Sequence, residues 1–182
     1  SVIATADGAR LRCAFQRLEG QVTREGLWLS STADSSSGER FRVKAMEIGR
    51  VTPYAPFQDW LNPGAHGVAR PTSMLPTLTC SGIVNVADNV ARFIRPGLTE
   101  EYTVSVDGVR QDFLIEQRPA GDGELRVELE VTGARAEPLV NGAQLVLAGA
   151  GRKLTYNRLR VVDAHGLELT ARAGFDPRAG VT

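Results

Sequence analysis

The feature that most constrains this chain is a two-residue alternation of apolar and polar side chains, interrupted at short intervals by corners that contain glycine. In EYTVSVDGVRQDF (101–113), apolar residues alternate with polar ones on both sides of Asp107-Gly108. This period places every second side chain on the same face of a strand. An Asp-Gly pair between two such runs favours a hairpin, since a type I′ turn needs positive φ at both central positions. The stretch therefore predicts a hairpin and a backbone role for Asp107.

The same pattern recurs later in the chain. ELRVELEVTG (124–133) alternates apolar with charged residues, and Asn141-Gly142 separates two further apolar runs. GRKLTYNRLRVVDAHGLELTAR (151–172) predicts a strand, a turn around residues 163–166 and a second strand. Such clean alternation is typical of an antiparallel sheet with one face in the core.

The first fifty residues follow the pattern less regularly. Asp7-Gly8 lies between short apolar stretches, and GLWLSS (26–31) predicts a strand. ARLRCAFQRLEG (9–20) fits a helical spacing as well as a strand spacing, and the glycines that bound it favour the strand. ERFRVKAMEIG (39–49) changes phase near its end, at Met46, Glu47 and Ile48, which predicts a β-bulge.

Turn signals recur every 8–12 residues, and few stretches carry a helical period. This spacing predicts an all-β fold, an antiparallel and hairpin-rich β-sandwich of about ten strands. Residues 1–50 hold the N-terminal strands, and residues 77–182 form the main antiparallel β-domain. Between them, residues 51–76 contain five prolines and no period, which predicts an irregular insertion or linker. The chain is then one domain or two small β-subdomains.

Charge balance and motif content exclude several classes of protein. Lys plus Arg and Asp plus Glu each number 21 and are interspersed, so we predict neither nucleic-acid binding nor an anionic membrane surface as partner. No apolar run approaches the roughly 20 residues of a membrane span. His66 and His165 are the only histidines and have no metal-ligand spacing. Without a phosphate-binding glycine motif or a GxSxG nucleophile, we predict no cofactor, metal or catalytic set.

One group of side chains in the irregular segment is a candidate ligand site: Tyr54, Phe57, Asp59 and Trp60. Exposed aromatic rings beside a carboxylate can hold a sugar, and the same rings can instead pin a long loop onto the sheet. The first reading predicts a carbohydrate-binding module. A further alternative is a glycan-active enzyme that uses two carboxylates, such as Asp59 and Glu101.

Cys13 and Cys80 are the only cysteines, and their spacing excludes a CxxC motif. They predict either a disulfide in an oxidising compartment or two buried thiols. We favour the disulfide, because both cysteines lie in strand-like stretches that can pair. In the chain-entropy model, closing so long a loop stabilises a fold by about 3–4 kcal/mol.

Three stretches carry a family resemblance: RPGLTEEYTVSVDGVRQDF, RPAGDGELRVELEVTGARAEP and GRKLTYNRLRVVDAHGLELTAR. Through them the chain resembles an uncharacterised β-rich module that lies toward the N-terminus of very large secreted bacterial repeat proteins. The resemblance covers roughly residues 83–174 and, more loosely, residues 7–50. It implies a secreted or cell-envelope location, a part of something longer, and other domains or subunits as partners. It carries over no catalytic residue. The leading hypothesis is therefore a non-catalytic structural or interaction β-domain.

Overall fold

A computed structural model of the chain describes residues 1–33, 39–51, 75–149 and 151–174. Within these ranges the regular secondary structure consists of β-strands alone. The sheets form a sandwich-like structure that does not close into a barrel. The all-β sandwich prediction is confirmed. The described residues form fifteen strands where about ten were predicted. Residues 9–20, for example, were interpreted as one strand but span a tight turn between two strands.

The strands follow one another as β1 (Val2–Thr5), β2 (Gly8–Cys13), β3 (Leu18–Thr23), β4 (Gly26–Ser31), β5 (Arg40–Val51), β6 (Ile83–Ala87), β7 (Val90–Arg95), β8 (Leu98–Val104), β9 (Val109–Leu114), β10 (Glu124–Thr132), β11 (Ala134–Leu139), β12 (Gly142–Leu147), β13 (Lys153–Asn157), β14 (Val161–Val162) and β15 (Glu168–Leu169). They form a six-stranded sheet in the order β1-β2-β3-β4-β5-β10 and a four-stranded sheet in the order β6-β7-β8-β9. A three-stranded sheet, β11-β12-β13, and the short pair β14-β15 complete the described structure.

The six-stranded sheet is the layer against which the four- and three-stranded sheets pack. A first apolar cluster joins it to the four-stranded sheet and consists of Ala9, Leu11, Val22, Leu27, Ala91, Phe93 and Tyr102. A second cluster joins it to the three-stranded sheet and consists of Cys13, Leu18, Phe41, Ala134, Leu145 and Leu147. A third combines Ala45, Ile48, Leu78 and Leu98. Burial of these side chains is the main favourable contribution to the fold.

Segments on either side of residues 52–74 share one core. Strand β5, from the N-terminal side, pairs antiparallel through residues 42–51 with the whole of β10. All three apolar clusters likewise combine side chains from both sides. Each part therefore buries its apolar face against the other.

The bulge predicted at the end of ERFRVKAMEIG is confirmed. The register between β5 and β10 shifts by one residue at Met46, which has no partner across the ladder. The Met46 carbonyl instead accepts the N–H of Leu78 (2.8 Å), and the N–H of Ile48 donates to Pro76 (3.2 Å). The bulge thus allows the segment that begins at residue 75 to form backbone hydrogen bonds with β5.

The hairpin predicted at Asp107-Gly108 forms, but its turn lies one residue earlier. The N–H of Ser105 donates to the Gly108 carbonyl (2.9 Å), so Val106 and Asp107 are the central residues of the turn. Asp107 does not have positive φ, and the type I′ assignment is therefore wrong. The backbone role predicted for Asp107 stands, although its carboxylate also pairs with Arg158 at the surface.

Two other hairpins predicted at such corners, β1–β2 and β11–β12, show the same shift. Gly8 and Gly142 each follow the turn as the first residue of the next strand. A Cβ at either position would overlap a carbonyl oxygen of the neighbouring strand, that of Val22 or of Tyr156. Here glycine serves the close approach of two backbones more than the turn itself.

A turn with left-handed backbone occurs at a position where the sequence analysis predicted no turn. Asp88 and Asn89, between β6 and β7, have φ of 52° and 62°, as a type I′ turn requires. The Asn89 Oδ1 also accepts the N–H of Val2 (2.8 Å), which joins the tip of this hairpin to the edge strand β1 of the facing sheet.

The turn predicted at residues 163–166 is confirmed. Its Asp163 Oδ1 accepts the N–H groups of His165 (2.8 Å) and Leu167 (2.9 Å), the usual local role of an aspartate in a turn. The strands that it joins, β14 and β15, are only two residues long each.

Candidate functional site: an open sheet edge and a buried polar network

The predicted ligand-binding side chains lie outside the described residues: Tyr54, Phe57, Asp59 and Trp60. The second carboxylate of the glycan-active alternative, Glu101, lies on β8. Its Oε1 accepts a hydrogen bond from Arg92 Nε (2.5 Å) on the neighbouring strand. His165 is exposed in the turn between β14 and β15.

The favoured disulfide between Cys13 and Cys80 is not formed in the structure. Cys13 is a buried free thiol whose Sγ lies 3.4 Å from the Ser105 carbonyl, within the second apolar cluster. Cys80 is an exposed free thiol in the segment beside β5. The alternative of two buried thiols therefore holds for Cys13 and is wrong for Cys80, which is unpaired but exposed.

Without prior reduction, a thiol reagent is expected to label Cys80 in the folded protein and Cys13 only after unfolding, because burial blocks access to a thiol. The measurement is a thiol titration before and after addition of denaturant, with mass spectrometry to locate the label. Detection of no thiol in the denatured, unreduced chain would instead establish the disulfide.

A polar network surrounds Glu100, whose side chain has no exposed surface. One carboxylate oxygen accepts a hydrogen bond from Arg95, and the other accepts from the Tyr102 hydroxyl (2.9 Å) and from Gln111 Nε2 (2.6 Å). These partners lie on β7, β8 and β9. Both oxygens are therefore satisfied within the four-stranded sheet, as a buried carboxylate requires.

The network also reaches the other two large sheets. Arg95, buried like Glu100, donates to the carbonyl of Ala45 on β5 (2.8 Å) and stacks on the Phe93 ring, 4.9 Å from its centroid. Gln111 Nε2 also donates to a β5 carbonyl (3.1 Å), and its Oε1 accepts from the Tyr156 hydroxyl on β13 (3.3 Å). Arg95 Nε is buried without a partner among the described residues, as are Arg42 Nε and Arg50 Nε outside this network. The Arg95–Glu100 pair together with Gln111 thus connects the four-, six- and three-stranded sheets.

Burial and nearby charges shift the pKa values of ionisable side chains in and beside this network. Burial raises the pKa of Tyr102 well above its ordinary value, and the adjacent Glu100 charge adds to the effect. Burial also lowers the pKa of Lys44, and repulsion from the charges of Arg42 and Arg95 lowers it further. Lys44 Nζ donates to the Cys80 carbonyl (2.8 Å). With their donors and acceptors directed at one another, these groups hold the sheets in register.

Strand β6 leaves one edge of the four-stranded sheet open within the described part of the chain. It pairs with β7 alone, and its sequence Ile83–Ala87, IVNVA, contains no charged residue. Ala87 and Val90 flank the two-residue turn and so form a hydrogen-bonded pair, as does Asn85 with Arg92 two positions on. The backbone groups of Val84 and Val86 consequently point away from β7, toward the open edge.

A groove runs beside this edge. It has a volume of about 690 Å³ and is lined by the β1–β2 turn (residues 4–8), the β3–β4 turn (residues 23–25), Ile83, Val84 and Val86. The N–H of Gly82 donates to the Arg24 carbonyl (2.8 Å), which connects the start of β6 to the β3–β4 turn. The side chains of Val84 and Val86 pack on the first apolar cluster, whereas Ile83 is 70% exposed on the outer face.

Most other edge strands carry features that discourage strand pairing. These are Arg110 and Asp112 in β9, Glu124, Arg126, Glu128 and Glu130 in β10, Arg135, Glu137 and Pro138 in β11, and Lys153 in β13. Strand β1 is also uncharged, but its Val2 N–H is already bonded to Asn89. In the described sheets, β6 is therefore a five-residue uncharged edge strand in which two residues, Val84 and Val86, keep both backbone groups free.

Sequence reasoning missed both features, although signals for each were present. Leu98, Glu100 and Tyr102 share one face by the two-residue period, which places a carboxylate on the inner face of β8. Val84 and Val86 alternate in the same way before Asp88-Asn89, a pair that accepts left-handed backbone. Only the glycine-containing corners were interpreted as hairpins.

No protein family, curated protein or solved structure that we compared matches this chain. Among the described residues, no three His, Cys, Asp or Glu side chains converge as a metal site would require. The same residues contain no helix long and apolar enough to cross a membrane.

Proposed function

We propose that this chain is a non-catalytic structural and interaction β-domain that joins other β-structure by strand addition at β6. The observation that carries the proposal is the uncharged open edge, where the N–H and C=O groups of Val84 and Val86 have no partner among the described residues. An added strand can take its main-chain hydrogen bonds from such an edge. Natural proteins usually block exposed apolar edges, so an edge left unblocked favours a role in binding.

The groove beside β6 supports the same proposal. Added strands place alternate side chains on the two faces of the sheet. Those on the inner face would enter the space between β6 and the turns at residues 4–8 and 23–25. Apolar side chains there would extend the first cluster, whose members Ala91 and Phe93 lie on the next strand, β7.

The buried network supports a structural rather than a chemical role. Glu100 directs both oxygens at protein donors, and the resulting links between sheets make a firm platform for the edge. The resemblance to modules of large secreted bacterial proteins favours a place in a secreted or cell-envelope assembly, with other domains or subunits as partners.

Amide hydrogen exchange tests whether the edge is open. In the monomeric protein, we expect the amides of Val84 and Val86 to exchange at least about a hundredfold faster than those of Asn85 and Ala87, because only the latter are bonded to β7. The measurement is residue-resolved exchange by NMR at micromolar concentration, on a sample shown to be monomeric by sedimentation.

The amides of Asn85 and Ala87 are the internal control, since they belong to the same strand. Equal protection of all four amides in the monomer would show that another part of the chain covers this edge. Strand addition at β6 would then be excluded.

A further inference from the structure

We infer that the occupant of this edge is a second copy of the chain, whose own β6 pairs antiparallel about a two-fold axis at Asn85. The inference rests on the proposed strand addition at β6 and names its partner. Two copies joined in this way present the same surface to each other, as closed dimers commonly do.

The sequence of β6 is symmetric about Asn85, since a valine lies on each side of it. Antiparallel pairing about that residue puts Val84 opposite Val86 of the second copy, and Val86 opposite Val84. These are the residues whose backbone groups point to the open edge. Each copy therefore supplies two donors and two acceptors in matching positions, as an antiparallel ladder requires.

The side chains fit the same arrangement. Val84 and Val86 face inward, so the second copy's valines face inward too and meet the groove of about 690 Å³. On the outer face, Ile83 gains Ala87 of the second copy as its cross-strand neighbour. An isoleucine that is 70% exposed in the single chain thereby loses part of its contact with water.

Charge complementarity at both ends of the paired strands favours a second copy over an unrelated strand. The register about Asn85 brings Asp88 of one copy level with Gly82 of the other, where the Arg24 carbonyl is bonded. Neither Asp88 nor Arg24 forms an ion pair among the described residues. Arg24 also lines the groove, as do the carboxylates Glu25 and Asp7. We therefore expect Asp88 of one copy to pair with Arg24 of the other. Because of the two-fold symmetry, the dimer contains this Asp88–Arg24 pair twice, once at each end of the paired strands.

Sedimentation of the full chain between micromolar and millimolar concentration tests the inference. We expect a dimer that is weakened at least about tenfold by Asn85→Lys and equally by Asn85→Glu, because each variant faces its own charge across the axis. An equimolar mixture of the two variants should recover the dimer as a heterodimer. The control is Asn157→Lys, the same change at an exposed asparagine of edge strand β13, which should leave association unchanged.

The end contacts are tested by Asp88→Asn and Arg24→Gln. Each should weaken the dimer by about two- to fivefold and reduce its salt dependence, and the double variant should be no weaker than either single variant. Asp88→Asn keeps the backbone preference of the β6–β7 turn, because asparagine accepts positive φ as aspartate does.

Three results would overturn the inference: a monomer at every concentration, a dimer insensitive to charge at Asn85, or no recovery when the Lys and Glu variants are mixed. A monomer whose Val84 and Val86 amides exchange rapidly would leave strand addition at β6 intact and exclude only the second copy. Protected amides in that monomer would exclude both.

Discussion

Replacing Glu100 with alanine is expected to destabilise the fold by about 3–5 kcal/mol, the usual cost of breaking a buried ion pair by removing one partner. The substitution leaves the Arg95 guanidinium without its carboxylate in a place where neither side chain has exposed surface. Tyr102 and Gln111 lose an acceptor at the same time. Urea denaturation followed by tryptophan fluorescence or far-UV circular dichroism measures the change in free energy of unfolding.

The adjacent residue supplies a matched control. Glu101 lies on the opposite face of β8 and pairs with Arg92 nearer the surface, so Glu101→Ala should cost no more than about 1 kcal/mol. Replacing both members of the buried pair, by Arg95→Met with Glu100→Leu, should recover much of the loss, because no unpaired charge remains. Equal effects at Glu100 and Glu101, or a double variant weaker than Glu100→Ala, would contradict a central role for the pair.

The strands and the bulge could be predicted because each depends on local alternation. In 101–113 and 124–132 the two-residue period comes from the pleat itself, and one buried face is enough to select it. The phase change at Met46 likewise appears in the sequence before any partner strand is known. Such patterns need no knowledge of how distant segments meet.

The position of the turns could not be predicted from the same residues. At Gly8, Gly108 and Gly142 the glycine follows the turn, whereas the sequence pattern placed it within the turn. Two of these glycines lie against a carbonyl of a neighbouring strand. A dipeptide preference contains no information about that neighbour, so the pattern predicted the hairpin correctly and its register wrongly.

The candidate site depends on topology, which local patterns do not contain. Glu100 is tolerated on the inner face because Arg95, on the preceding strand, meets it across a short turn. Whether β6 is an edge strand depends on which strands pair with it, and the sequence shows only that Ile83–Ala87 is uncharged. The proposed binding role therefore became visible only with the sheet order.

The corner between the six- and three-stranded sheets depends on Gly133. This residue has φ of 77° and lies between β10 and β11, directly before the buried Ala134. A Cβ at this position would overlap the carbonyl oxygen of Arg40 at the start of β5. Because the obstacle is backbone, it can give way only if β5 or the corner moves.

We expect Gly133→Ala to destabilise the fold by about 2–5 kcal/mol, combining the strain of left-handed backbone with the cost of overpacking. Gly97→Ala is the matched control: Gly97 has a similar φ of 86°, but an added Cβ there meets nothing within 4 Å. That change should cost only the strain, about 1–2 kcal/mol. Urea denaturation of the two variants side by side isolates the effect of the Arg40 carbonyl. If both lose the same stability, close approach of the chain at this corner contributes nothing, and conformational preference alone explains the glycine.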